Sequence, residues 1–274
     1  MSDGETPVAW TGGTFGERGV CVLAPNAGVM TLDGTNTWVL HEPGSPEAVV
    51  VDPGPGDAGH LRRVLAVVSE RGARVREVLL THGHLDHSEG AVELAELSGA
   101  RRVRALDPAH RLGSEGLGAG DVVAVGSAAL SVVATPGHTA DSLSFVFSGD
   151  PAVPAALLTG DTVLGRGTTV IAHPDGQLGA YLDSLCTLRD LAESVAGTAV
   201  WPGHGPVLED AVGVLDAYLR HREERLDQVR AALAAGAGTA HEVVERVYAD
   251  VDRSLWPAAE LSVRAQLDYL RAGR

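Results

Sequence analysis

Short apolar runs bounded by glycine and proline dominate the first two thirds of the chain. Val20 to Ala24, Thr37 to His41 and Ala48 to Val51 are of strand length and rich in β-branched residues. The period then alternates. His60 to Arg71 sets Leu61, Val64, Leu65 and Val68 at helical spacing, Val75 to Leu80 predicts a strand, and Ser88 to Leu97 a helix. Val103 to Ala105, Val122 to Val125, Leu130 to Ala134, Leu143 to Phe147 and Ala155 to Leu158 predict further strands. Gln177 to Val195 predicts a helix, and Ala199 to Trp201 a last short strand. Residues 1–19, rich in glycine and threonine, predict an irregular lead-in.

The character changes after Glu209. Val212, Leu215, Leu219, Leu226, Val229 and Leu233 form an apolar stripe on a long amphipathic helix. Gly236 and Gly238 end it. Thr239, with Glu242 three residues on, has the form of a capping box for a second helix through Val247. Pro257 sits where a third helix, to about Leu270, begins. The pattern divides the chain into a mixed α/β body, 1–209, and a helical tail, 210–274.

Composition changes this picture little. At 45% hydrophobic and 21% charged residues, a chain of 274 residues is globular rather than disordered. No apolar run approaches the roughly 18 residues of a membrane span. The acidic start, Met1 to Glu5, lacks the pattern of a secretory signal, so a cytoplasmic location is the simplest expectation. Cys21 and Cys186 lie far apart and form no CxxC pair. They bring neither a disulfide framework nor a metal site, and read as buried small hydrophobes.

Charge says more. The chain holds 36 acidic residues against 21 basic ones, all arginine, for a net charge of −15. The body alone has 25 acids and 12 arginines. A surface this acidic repels phosphate backbones. Gly54-Pro55-Gly56 and Gly12-Gly13 lack the strand–loop–helix context and lysine of a phosphate loop, and read as turns.

The histidines carry the chemistry. His82, His84 and His87 fall within six residues, interleaved with Asp86. Directly after a strand, the i, i+2 spacing keeps His82 and His84 on one side of an extended backbone. Asp86 continues that side, and His87 follows where the chain turns into a helix. Four ligand-type side chains thus face one space, and neutral imidazole with carboxylate suits zinc and similar divalent metals. His138, Asp161 and His204 each follow a glycine at the end of an apolar strand. In layered α/β folds, sites assemble at that edge. His41, His60, His110, His221 and His241 read as surface or packed residues. His173 and Tyr181 are candidates for lining a substrate mouth.

His-Gly-His-Leu-Asp-His at 82–87, Pro-Gly-His-Thr at 136–139, Gly-Asp-Thr at 160–162 and Pro-Gly-His-Gly at 202–205 closely resemble the metallo-β-lactamase superfamily. The resemblance covers residues 20–209. It implies an αββα sandwich with a two-metal site at one edge. It also implies that His82, His84 and His138 hold one metal, that Asp86, His87 and His204 hold the other, and that Asp161 bridges them. Asp52, in Val51-Asp52-Pro53-Gly54, matches the family's first acidic motif and would orient a ligand histidine. Gly160 to Gly165 with Thr168-Thr169, the stretch Gly34 to Trp38 and the helical tail resemble one branch of that superfamily. That branch ends in a small winged-helix-like module. It includes the endoribonuclease lactamase-β-like protein 2, fungal polyketide thioesterases and bacterial hydrolases.

The resemblance implies two divalent ions, Zn2+ first among them, that activate water at neutral pH. Asp86 would pass the proton to the leaving group as well as bind metal. Only 43 positions separate Asp161 from His204, too few for the large insertion of RNA-processing relatives. The expected activity is metal-dependent hydrolysis of a thioester, lactone or other small ester. Single-stranded RNA is an alternative that the net charge disfavours. A non-enzymatic binding role for the tail is a second alternative, with Arg220, Arg222, Arg225 and Arg230 as a basic helix face. Glu223, Glu224 and Asp227 interleave with these arginines, which favours a solvated, salt-bridged helix. No membrane association is expected, and the pattern assigns no oligomeric state.

Overall fold

The computed structural model describes residues 9–150 and 155–273. Its first sheet contains β1 (Gly12–Phe15), β2 (Gly19–Leu23), β3 (Asn36–His41), β4 (Glu47–Val51), β5 (Arg74–Leu79) and β6 (Val103–Arg104), in sequence order. Its second contains β7 (Val122–Val125), β8 (Ala128–Ala134), β9 (Leu143–Ser148), β10 (Ala155–Gly160) and β11 (Ala199–Pro202), in the order β11-β10-β9-β8-β7. The pairs β4–β5, β5–β6 and β10–β11 are parallel, and the rest antiparallel.

Alternation along the strands decides the layering. In β3, Trp38 and Leu40 face the second sheet while Val39 faces outward, and all three are buried because both faces are covered. Between the sheets, Trp38 stacks on Trp201 with ring centroids 4.6 Å apart. Outside the first sheet lie α1 (Ala58–Glu70), α2 (Leu85–Ser88) and α3 (Ala91–Ser98); Leu61, Val64, Val68 and Leu94 pack on Val39 and Val50. Outside the second lie α4 (Leu178–Ser194) and α5 (Ala211–Ala234). This is the expected αββα sandwich.

Two local expectations are corrected. Residues 12–15 are not irregular: they form the edge strand β1, paired with β2 from Gly12↔Val22 to Phe15↔Gly19. Its glycines hide the pattern, but Phe15 packs against Trp38 and Trp201. Residues 1–8 of the expected lead-in lie outside the described residues. The expected helix from Ser88 is split into α2 and α3 at Gly90, whose N–H donates to the carbonyl of Gly54 at 3.0 Å. Of the cysteines, Cys21 is buried as expected and Cys186 is exposed.

The tail forms α5, α6 (Ala240–Val247) and α7 (Trp256–Arg271). The Thr239–Glu242 capping box is present at α6. Leu215, Tyr218 and Leu226 of α5 join Tyr181, Leu185 and Leu188 of α4 in one apolar layer. Farther along, Val229 packs with Val243, Val244 and Val263 in a core belonging to the tail itself. Arg222 departs from the expected solvated face: it is 3% exposed. Arg230 pairs with Asp227 at 2.8 Å, as the interleaving predicts. No helix among the described residues is long and apolar enough to cross a membrane.

At the sandwich end where the chain runs from β3 to β4, Glu42 accepts from Arg18 Nε at 2.9 Å and Nη2 at 2.7 Å, and from the Ser127 backbone N–H at 2.9 Å. Ser127 lies in the turn between β7 and β8 of the second sheet, so this group stitches the two sheets. Arg18, then Ser127, hold the Glu42 carboxyl at about 2, below its ordinary 4.5. A depressed folded pKa contributes stability that is complete above about 4.5 and is lost as pH falls through about 2. The melting temperature of the native chain should therefore fall faster than that of Glu42→Gln between these values, the curves converging near pH 2. Parallel curves would show that the pair contributes nothing to acid sensitivity.

Candidate metal centre

The ligand-type residues come from four chain segments and meet at one edge of the sandwich. His82 follows β5, His84 precedes α2, and Asp86 and His87 lie in α2. His138 follows β8, Asp161 follows β10, and His204 follows β11. The extended run expected through Asp86 is thus corrected. The helical turn of α2 aims Asp86 and His87 at His204, although the His82 and His87 rings remain 4.3 Å apart. The result is two groups: His82, His84, His138 and Asp161; and Asp86, His87 and His204. Within each, potential ligand atoms lie within 4.8 Å of one another. Asp161 stands between the groups. Its Oδ1 is 3.3 Å from Nε2 of both His87 and His204, and its Oδ2 is 3.6 Å from His138 Nε2.

Glycines make this convergence possible. A Cβ at Gly203 would lie 2.7 Å from Asp161 Oδ1, so the β11 turn can approach the carboxylate only without a side chain. Gly160 has φ +48° and a Cβ there would meet Thr81 Oγ1 at 2.5 Å.

Each of four imidazoles is anchored through one nitrogen. His87 Nδ1 donates to Asp52 Oδ2 at 2.9 Å, His138 Nδ1 to the Val170 carbonyl at 2.7 Å, and His204 Nδ1 to the Gly34 carbonyl at 3.1 Å. Thr81 Oγ1 donates to Asp52 Oδ2 at 2.7 Å and so accepts from His82 Nδ1 at 3.0 Å. Asp52 lies where expected, against a ligand-type histidine, and its φ of +50° is the kind of strained backbone that functional sites retain. These anchors turn the other nitrogens inward. Nε2 of His87 and Nε2 of His204 meet at 3.2 Å. His84 Nδ1 lies 3.1 Å from Nε2 of both His82 and His138.

Facing lone pairs at such distances repel unless positive charge lies among them. The electrostatics agree. Burial opposes a charged His87, yet Asp161 and Asp52 outweigh it and hold its pKa well above the usual value. Burial likewise opposes charge on His204, but Asp161 and Asp86 push it up to about 9. Asp161 is buried too, and His204 and His87 nevertheless hold it well below the ordinary carboxylate range. His82 and His138 are lowered, chiefly by burial. Asp161 Oδ1 is buried without a hydrogen-bond partner. Anchored imidazoles, inward lone pairs and an orphaned carboxylate oxygen fit divalent cations, which displace protons from such nitrogens.

The remaining polar candidates lie elsewhere. Tyr181, expected near a mouth, is fully buried and its Oη donates to the Thr162 carbonyl at 2.7 Å. His173 pairs with Asp268 of α7 at 2.8 Å and lines a cavity of about 530 Å3 between residues 173–180 and that helix. His41 and His60 are packed, His110 lies over Gly83, and His241 is exposed. Sequence reasoning gave no anchoring role to Thr81, Gly34 or the Thr169–Val170 segment. Thr81 adjoins a motif, but Gly34 and Val170 act through backbone carbonyls, which side-chain patterns do not reveal.

Comparison with known proteins agrees with this geometry. The metallo-beta-lactamase superfamily profile matches residues 30–204, and the beta-lactamase associated winged helix domain matches residues 239–273. The chain is 35% identical over 245 residues to lactamase-like protein aptB of Emericella nidulans, covering 86% of this chain and 75% of the relative. It is 32% identical to an atrochrysone carboxyl ACP thioesterase of Aspergillus fumigatus, covering 84% and 73%. It is 31% identical to the beta-lactamase-like protein 2 homolog of Caenorhabditis elegans, covering 91% and 82%. Among solved structures, a beta-lactamase domain protein from Burkholderia ambifaria superposes with a TM-score of 0.79 at 22% identity, covering 99% of this chain and 91% of that one. The chain belongs to the metallo-beta-lactamase superfamily and carries a C-terminal winged-helix domain. Its family, fold and donor set make it a metal-dependent hydrolase.

Proposed function

We propose that the protein hydrolyses a thioester, lactone or other small ester at a binuclear centre. The observation that carries this reading is Asp161, with one carboxylate oxygen toward each histidine group. His82, His84 and His138 would hold one ion, and Asp86, His87 and His204 the other. Asp161 would serve both, and zinc suits the donors. Bound there, the ions supply an acidified water and a polarised carbonyl.

The chain's own residues then have separable tasks. Asp52 fixes the tautomer of His87 by accepting from Nδ1. Asp86 Oδ2 lies 3.1 Å from His204 Nε2. Burial opposes the Asp86 carboxylate, but His204 and His87 keep its pKa below the ordinary value. It is therefore ionised at neutral pH, and can accept a proton at an oxygen and pass it to the leaving group. Exposed Leu85 lies between two ligand-type residues in the chain. Exposed Val29 and Met30 tip a loop that runs back to Gly34, whose carbonyl anchors His204. Exposed apolar side chains on segments that carry or anchor ligand-type residues suit an acyl group, and the thioesterase name of one relative points the same way. Residues 1–209 would carry the chemistry, and 210–274 would act as their supporting tail.

A second reading, cleavage of single-stranded RNA, is favoured by the resemblance to the endoribonuclease branch. The net charge of −15 opposes it. The test is hydrolysis of acyl thioesters, lactones and single-stranded RNA, with and without added zinc or manganese. Metal-dependent thioester or lactone hydrolysis is expected, with RNA binding weak and steeply salt-sensitive. Tight RNA binding at physiological salt, with efficient cleavage that Asp161→Ala abolishes, would replace the acyl reading.

A further inference from the structure

Arg222 is an anomaly of α5. It sits among arginines and acids that mark a solvated face, yet it is 3% exposed. Among the described residues no carboxylate pairs with it, and its Nε is buried without a partner. A buried cation without a counter-charge is costly, so its retained contacts call for a role. They are two. Nη2 donates to the Thr169 carbonyl at 2.7 Å, and the guanidinium lies over the Tyr181 ring, 4.9 Å from its centroid.

Thr169 leads directly to the candidate metal centre. Its Oγ1 is 3.2 Å from His138 Nδ1, and the next residue, Val170, offers the carbonyl that Nδ1 bonds at 2.7 Å. One turn earlier on α5, Tyr218 holds the start of the same loop. Its Oη accepts from the Leu164 N–H at 2.9 Å and lies 3.1 Å from the Gly167 carbonyl. The loop from residue 164 to 170 is thus held from the tail side at both ends. His138 is anchored to its last turn.

We infer that Arg222 and Tyr218 are positioning residues, through which the first tail helix fixes the loop that orients His138. The inference rests on the reading of His138 as a metal ligand. Its consequence is that Arg222, at the 169–170 end of the loop, bears chiefly on the ion that His138 would hold. The ring of His138 is held by the 169–170 end of that loop, whereas the rings of His87 and His204 are anchored by Asp52 and Gly34 in the body; the other end of the loop touches only the His204 backbone, the Gly165 N–H donating to its carbonyl at 2.8 Å. Loss of an outer hydrogen-bond partner of a ligating histidine typically lowers metal affinity 10–100-fold.

The experiment is titration of the chelator-stripped full chain with Co2+, followed by the visible absorption of the bound ion. His138→Ala identifies which binding phase belongs to that histidine. In Arg222→Met, which keeps an unbranched apolar stem and removes the guanidinium donor, that phase is expected to weaken tenfold or more, with an altered spectrum. The other phase should stay within about twofold. Leu94→Ala, a cavity in the opposite outer layer, is the control for lost stability alone and should move neither phase. Should Arg222→Met fail to fold, Tyr218→Phe decides, because it removes the second hold without leaving a buried charge; a severalfold weakening of the same phase is expected. Wild-type affinity for both ions in whichever variant folds would overturn the inference, as would an equal effect in Leu94→Ala. If His138→Ala itself binds Co2+ like the native chain, the ligand reading fails instead, and the two failures are distinguishable.

Discussion

Asp161→Ala is expected to cost the protein both metals and its activity together. Elemental analysis of the native chain should find about two divalent ions per chain. The variant should retain well under half of that. The reason is geometric: the two oxygens of Asp161 face different histidine groups. Its removal also takes away the anion that favours positive charge on His87 and His204. Hydrolysis should fall more than roughly 100-fold, beyond the upper end of what losing an outer partner costs. Asp52→Asn, which disturbs the anchor of His87 and leaves the donors in place, should fall within that range. Full activity in a metal-free preparation would refute the metal reading. Asp161→Ala with native metal content would refute the bridging role alone.

What was legible in the sequence follows from how each feature is encoded. Strands buried on both faces, such as β3 and β4, announce themselves as continuous apolar runs. The ligand-type residues were legible because each lies beside a glycine or within one dense motif. Their division into two groups was not legible from spacing, since it depends on the single turn of α2 that redirects Asp86 and His87. β1 was hidden because its four residues begin with two glycines and its pairing is entirely backbone. Arg222 was misplaced for a related reason. Helical periodicity predicts which face is apolar, but an arginine can enter that face when a loop carbonyl and an aromatic ring from elsewhere receive it. Backbone acceptors brought close by tertiary structure, here Gly34, Thr169 and Val170, leave no mark on sequence patterns.

Truncation after Asp210 should lower the melting temperature by about 10 °C or more and change KM or substrate preference, although every ligand-type residue remains encoded. α5 begins only a few residues beyond His204 and covers Tyr181, Leu185 and Leu188 of α4. Full burial of side chains such as Leu215, Tyr218 and Leu226 is worth ~1.5–3 kcal/mol each. A whole domain has only ~5–15 kcal/mol of net stability. At ~2–4 °C per kcal/mol for a chain of this size, losing even part of that burial reaches the stated shift. The contacts of α7 fall on the segment that follows Asp161 in the chain. Ser262 accepts from the Ile171 N–H at 3.1 Å, and Asp268 pairs with His173. Without them, the segment following Asp161 loses its outer wall, and the expected change in KM or substrate preference is the readout of that loss. A loss of stability with unchanged kinetics would confine the tail to support. A truncated chain with native melting temperature and native kinetics would mean that residues 211–274 are a tethered module, independent of the hydrolytic body.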